Sequence, residues 1–219
     1  MTWRVLKKLP FWRVYSTRGY KKLWLKKNDP EYWVNYAKTA NDPHRVLICS
    51  ALKNLNWQSL FEVGCGSGPN LIAITRHFKG RQVGGSDINP VALKVASGFF
   101  KNIMLRESSS ERILMSDKST DISLSDMHLI YIGPMKIKQH LKELKRITRK
   151  HLILYEYHSE SWIDRWRLRI FSGRHAYNYK KLLDKLGYYD IRIYKVKIDE
   201  LDNDAKFRFL ILANTPLRV

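Results

Sequence analysis

The segment Glu62-Val63-Gly64-Cys65-Gly66-Ser67-Gly68 places three alternate glycines directly behind a short apolar run that carries an acid. Glycines so spaced between a strand and a helix let the backbone turn tightly and lie against a ligand. Two common ligand loops fail on the letters. The Gly-x-Gly-x-x-Gly of dinucleotide sites would need glycine at Pro69 or at Leu71, and no Gly-Lys-Ser/Thr follows as a phosphate loop requires. A second acid, Asp87, ends the next strand-like stretch. An acid there can accept both hydroxyls of a ribose. An acid ahead of the loop suits a ligand that carries an amino group and no pyrophosphate.

The elements that must position these residues alternate in type. Ser59–Val63 and Gln82–Asp87 read as strands, as do Arg112–Asp117, Asp121–Asp126 and Leu152–Glu156. Helical patterns lie between them. Asn70–Phe78 is one. A second starts at Asn89-Pro90 with Val91, Val95 and Phe99 inward, and a third, Lys136–Lys150, puts Ile137, Leu141, Leu144 and Ile147 on one face. Later come helices over Ser161–Phe171 and Tyr179–Leu186, then strands over Tyr189–Val196 and Phe207–Ala213, with an acidic turn at residues 199–204. Residues 1–56 read as helix and loop. Asn28-Asp29-Pro30 and Asn41-Asp42-Pro43 act as helix starts, and Val46, Leu47, Ala51 and Leu55 share a face. Alternating strands and helices imply α/β architecture with a parallel sheet, and ligands then bind at the carboxyl ends of its strands. Glu62, Asp87, Asp117, Asp126 and Glu156 are expected to share that rim.

The chain has 219 residues, enough for one domain with a real core, and only two cysteines, Cys49 and Cys65. Two cysteines are not a disulfide framework, so a reducing, cytoplasmic setting is expected. No apolar run approaches a membrane span. Net charge is +20, from 40 Lys and Arg against 20 Asp and Glu. The excess is uneven: residues 1–27 hold nine bases and no acid, whereas 51–135 hold nine bases and seven acids. Such an arm favours nucleic acid, a membrane surface or an acidic substrate, or is a solvated face. It is expected to be peripheral to the ligand fold. No His, Cys, Asp and Glu cluster has metal-ligand spacing, so no metal is expected.

Four blocks in order resemble the class I S-adenosylmethionine-dependent methyltransferases. They are the glycine loop from Glu62 to Gly68, Ser86-Asp87-Ile88-Asn89, the stretch from Asp121 to Ile132, and Leu141–Ile147 followed by Leu152–Glu156. The resemblance implies a Rossmann-like, mostly parallel seven-stranded sheet with helices on both faces. Residues 1–56 would form a basic N-terminal helical extension or lid, and residues 57–219 the cofactor-binding domain. It implies that Gly64, Gly66 and Gly68, with Cys65, cradle the methionine end of S-adenosylmethionine, and that Glu62 acts near its amino group. Asp87 would accept the ribose hydroxyls, Ile88 would pack on the adenine, Asp117 would accept the adenine amino group, and Ser125 would add a contact. The product would be S-adenosylhomocysteine. One departure stands out: only Lys118-Ser119-Thr120 separates Asp117 from Asp121, where the family has a longer connection.

Methyl transfer is an in-line displacement from a sulfonium and needs alignment, exclusion of water and sometimes removal of a proton. Asp126, Glu156 and His158 are the candidate acid–base groups, with Tyr131 shaping the pocket and His128 packed. A small-molecule acceptor (metabolite, sugar or lipid) is expected under an aromatic lid of Trp33, Tyr36, Trp162, Trp166 and Tyr177. The alternatives are RNA held by residues 1–27 with Arg165, Arg167, Arg169 and Arg174, an anionic membrane held by the same arm 1–27, and a cofactor-binding protein without catalysis.

Overall fold

The computed structural model describes residues 17–196 and 204–216. Most of the basic arm, residues 1–16, and most of the acidic turn, residues 197–203, lie outside the described residues. Among the described residues three α-helices precede the sheet: α1 (Thr17–Leu25), α2 (Pro30–Ala37) and α3 (Pro43–Lys53). Then follow β1 (Ser59–Val63), α4 (Pro69–His77), β2 (Gln82–Asp87), α5 (Pro90–Ser97), β3 (Met104–Glu107), β4 (Thr120–Asp126), α6 (Ile137–Ile147), β5 (Thr148–Tyr157), α7 (Trp162–Ser172), α8 (Tyr179–Lys185), β6 (Tyr189–Lys195) and β7 (Arg208–Asn214).

The seven strands run in the order β3-β2-β1-β4-β5-β7-β6. All pairings from β3 to β5 are parallel, and β7 is antiparallel to both its neighbours. The order reverses between β1 and β4, which opens a crevice at their carboxyl ends. Alternation along the strands feeds two cores. Phe61, Val63, Leu152 and Leu154 pack against Ile137, Leu141, Leu144 and Ile147 of α6 and Leu183 of α8. Leu60, Ile122, Leu124, Ile153 and Tyr155 pack against Ile48 and Leu52 of α3 and Leu71 and Ile74 of α4.

The third strand is not Arg112–Asp117 but Met104–Glu107. As an edge strand it is mostly exposed, so it lacks the apolar run that marks buried strands. In 112–117 only Ile113 is buried, while Leu114 points to solvent. The departure noted at Lys118–Thr120 has the same origin, because the link from β3 to β4 spans residues 108–119. Two helix faces also differ from the sequence reading. Helix α5 buries Ala92, Leu93 and Ala96 rather than Val91, Val95 and Phe99. Helix α3 buries Arg45, Ile48, Cys49 and Leu52, a perfect i, i+3, i+4, i+7 stripe whose first member is charged.

Candidate active site

The glycine loop is held open by backbone that side chains disfavour. Gly64, Gly66 and Gly68 have φ of 80°, 55° and 79°. At Gly64 the space is also filled, since a Cβ there would lie 2.5 Å from His128 Cγ. The amides of Gly64 and Cys65 both donate to the Ser86 carbonyl, at 2.8 and 2.9 Å. Pro69, which broke the dinucleotide pattern, is the first residue of α4, where its missing N–H costs nothing.

Asp87 ties this loop to β2. Its Oδ2 accepts from the Gly66 amide at 2.9 Å and its Oδ1 from the Asn89 amide at 2.9 Å. Burial pushes its pKa up, and the amides of Asn89 and Gly66 oppose that. Asn89 caps α5 through Oδ1, and its Nδ2 donates to the carbonyls of Trp24 and Lys27 at 2.6 and 3.1 Å.

A buried polar network lies beneath the loop. Asn70 Nδ2 donates to Glu62 Oε1 at 2.6 Å and to Asp126 Oδ2 at 2.8 Å. Arg45, from α3, reaches Asp126 Oδ2 at 2.7 Å. Its Nε and Nη2 donate to the carbonyl and hydroxyl of Thr39, and its Nη1 donates to Asn70 Oδ1 at 3.3 Å and lies 2.7 Å from His44 Nε2. Glu62 Oε2 and Asp126 Oδ1 are buried without a partner. Burial would raise Asp126, but His44 and Arg45 hold it below the usual carboxylate range.

Glu62 has no such cation in contact, and burial pushes it up to about 8 against the Asn70 hydrogen bond. An acid that holds its proton more tightly when folded loses stabilising effect as pH rises from the ordinary carboxylate range to that value. Stability should therefore fall between about pH 4.5 and 8, and Glu62→Gln should remove part of that decline. Urea midpoints across this range check it. Identical pH profiles for wild type and variant would contradict the assignment.

A cavity of about 530 Å³ opens over loop and network. Gly64, Gly66, Asp87, Ile88, Asp126, Met127 and Arg45 line its floor, with Ser108, Ser109, Ser110 and Glu111 on the side next to β3. Its roof is aromatic. Tyr20, Trp24, Tyr32, Trp33, Tyr36 and Tyr131 all line it. Ring centroids are 4.9 Å apart for Tyr20 and Tyr131 and 5.4 Å apart for Trp24 and Tyr131. The loop touches this roof, since a Cβ on Gly66 would lie 3.0 Å from Tyr36.

Of the five acids expected on one rim, only Asp87 and Asp126 line the cavity. Asp117 lies beyond the misread third strand and pairs with Arg146 at 2.8 Å, outside the cavity. Ser125 and Cys65 are also not lining residues. The Ser125 hydroxyl donates to Glu156 Oε1 at 2.8 Å, and Cys65 is packed below Gly85. Glu62 faces the network below the loop rather than the cavity.

Asp126, Glu156 and His158 do not converge. Glu156 Oε1 accepts from the amides of His128 and Leu129, at 3.0 and 2.9 Å, and so holds the turn Leu129–Tyr131 in place. Burial pushes Glu156 up to about 8 against those bonds. His158 accepts from the Tyr179 amide and packs on Phe209, away from the cavity. His128 is packed as expected, with burial pushing it down to about 3. The lid is formed by Trp33 and Tyr36 but not by Tyr177, a core residue, nor by the exposed Trp162 and Trp166. Residues 17–27 are not peripheral, because Tyr20, Lys21 and Trp24 line the cavity.

Arg45, His44, Asn70 and Ser108–Glu111 belong to the site and were missed. The signal for Arg45 was the buried stripe of α3 read with a charged residue admitted. For Asn70 it was position, in the first turn of the helix behind the loop.

Residues 60–151 match the methyltransferase-domain family. Several solved structures share the fold. One is a chain of a complex that contains the Haloferax volcanii Trm112 methyltransferase activator. It has 18% identity over 87% of this chain and 99% of its own, with a TM-score of 0.66. A SAM-dependent methyltransferase from Archaeoglobus fulgidus has 15% identity over 78% of this chain and 94% of its own, TM-score 0.57. The magnesium protoporphyrin IX methyltransferase of Synechocystis PCC 6803, with bound SAM, has 16% identity over 84% and 81%, TM-score 0.57. No curated protein matches the chain. The sheet order, the glycine loop with its acid on β2, and the matched domain define a Rossmann-like methyltransferase. The chain thus carries a methyltransferase domain over residues 60–151, with S-adenosylmethionine as its cofactor.

Proposed function

We propose that the methyl acceptor is a small molecule, a metabolite, sugar or lipid, bound in the same cavity as the cofactor. The observation that supports this is the roof. Tyr20, Trp24 and Trp33 from α1 and α2 close over the glycine loop, and Asn89 anchors their connecting segment. A volume of about 530 Å³ is in the range of small-molecule sites.

The residues present fit the cofactor. The loop is a cradle without side chains, and the orphaned oxygens of Glu62 and Asp126 await a donor such as an ammonium. When bound, the cofactor supplies a methyl group on a sulfonium, an electrophile that needs little activation. Gly64 and Gly66 line the methionine end, with Glu62, Asn70 and Asp126 beneath receiving the amino group. Asp87 accepts the ribose hydroxyls, Ile88 packs against the base, and Ser108–Glu111 take the adenine-side place first expected of Asp117. Asp126, ionised and paired with Arg45, is a weak base, so it orients rather than deprotonates. The aromatic roof excludes water and aligns the acceptor.

The test is transfer of labelled methyl from S-adenosylmethionine into separate metabolite, lipid and RNA pools. Label should enter a low-mass or lipid fraction, with activity nearly flat from about 50 to 200 mM salt, because an enclosed site is little screened. Label in RNA, with affinity falling steeply over that range, would overturn the reading in favour of an RNA acceptor. The Haloferax neighbour occurs with an activator protein, so the assay is also run on chain purified from its native host with any bound protein retained.

A further inference from the structure

Helix α7 carries apolar side chains on the wrong side. Only Leu168 of this helix is buried. Trp162, Ile163 and Trp166 are exposed by 69, 49 and 54%, and Phe171 near its end by 61%. At about 100° per residue, Trp162, Ile163, Trp166 and Ile170 fall on one side, opposite Leu168. Arg167 and Arg169, both exposed, lie at the two margins of that stripe. Among the described residues, no carboxylate pairs with either.

A second element meets the end of this helix. Helix α1 abuts the end of α7, where the Tyr20 hydroxyl donates to the Gly173 carbonyl at 2.8 Å. Leu23 and Leu25 of α1 are exposed, alongside the exposed bases Lys21 and Lys22 in α1 and Lys26 just after it. The roof of the cavity and the end of α7 are therefore joined through Tyr20.

We propose that α7 and α1 form a docking face for an anionic lipid surface. An interfacial helix has this composition: Trp, Phe and Ile to enter the acyl boundary, and Arg or Lys at the margins to meet lipid phosphates. Trp162 and Trp166 could stack on unpaired bases, but Ile163 and Ile170 beside them could not, whereas all four side chains can enter an acyl boundary. A second copy of a chain with net charge +20 would be repelled by the same bases. Docking here would set the cavity roof against the bilayer. The inference is independent of the acceptor's identity.

The experiment is co-sedimentation of the full chain with vesicles of pure phosphatidylcholine, and with vesicles holding about 30% phosphatidylglycerol, an anionic lipid. The chain should bind the anionic vesicles and not the neutral ones, with salt weakening the binding. Trp162→Ser with Trp166→Ser should lower binding roughly tenfold or more, and so should Arg167→Glu with Arg169→Glu. Both double variants should retain S-adenosylhomocysteine affinity, which shows that they fold. Three results overturn the proposal. One is no binding to anionic vesicles. A second is binding unchanged by either double variant. The third is that the Trp substitutions instead abolish binding to a single-stranded RNA oligonucleotide or dissociate a dimer.

Discussion

Replacing Asp87 by alanine should weaken S-adenosylhomocysteine binding by roughly ten- to a hundredfold. Deleting one partner of buried hydrogen bonds costs about 1–3 kcal/mol. Asp87 lines the cavity at the end of β2, and its carboxylate is already fixed by the Gly66 and Asn89 amides. A carboxylate so fixed meets ribose hydroxyls with little further ordering. The same substitution also frees the Gly66 amide, so Asp87→Asn separates the two effects. Asparagine can keep one amide bond while losing half of its acceptor capacity. Its affinity should lie between wild type and alanine, with the thermal midpoint close to wild type. Wild-type affinity in Asp87→Ala would mean that the ribose lies elsewhere.

The largest stability effect is expected at Arg45. Its guanidinium is buried against Asp126, itself buried, and Arg45→Met removes the permanent cation from that charge, leaving it His44 and the Asn70 amide. Breaking such a pair costs about 3–5 kcal/mol, measurable as a fall in urea midpoint. Two further observations identify the cause. Without Arg45, Asp126 loses one of the two groups, with His44, that hold its pKa down, so the penalty should shrink as pH drops and Asp126 takes up a proton. The double variant Arg45→Met with Asp126→Leu should recover part of the loss, since apolar replacement of both partners removes the buried charge. A loss below about 1 kcal/mol, the scale of exposed pairs, would contradict the buried ion pair.

The fold was legible where burial is complete on both faces of a strand. Ser59–Val63, Gln82–Asp87 and Thr120–Asp126 read as near-continuous buried runs, and each lies within a residue of its expected place. The exposed edge strand Met104–Glu107 carried no such pattern, and the apolar turn at 112–117 took its place in the reading. That single slip put Asp117 at a strand end and hid Ser108–Glu111, which line the cavity. The glycine loop and Asp87 were legible because their chemistry is local in sequence. Arg45 was not, because a buried arginine is recognisable only with its acid, 81 residues away. Tyr20 was hidden for a different reason: an all-basic arm reads as surface, although one of its rings is buried. Glu156 and His158 stand where strand ends meet the rim in the sequence. In the fold one anchors a turn, and the other packs beside Phe209.

Calorimetric titration of the purified chain with S-adenosylhomocysteine is the most direct test of the site built here. One equivalent should bind with a dissociation constant in the micromolar range, about −8 kcal/mol. Asp87→Ala should weaken it as stated, whereas the surface substitution Trp162→Ser should leave it unchanged. No saturable heat, or equal affinity in wild type and Asp87→Ala, would contradict the cofactor site at the glycine loop.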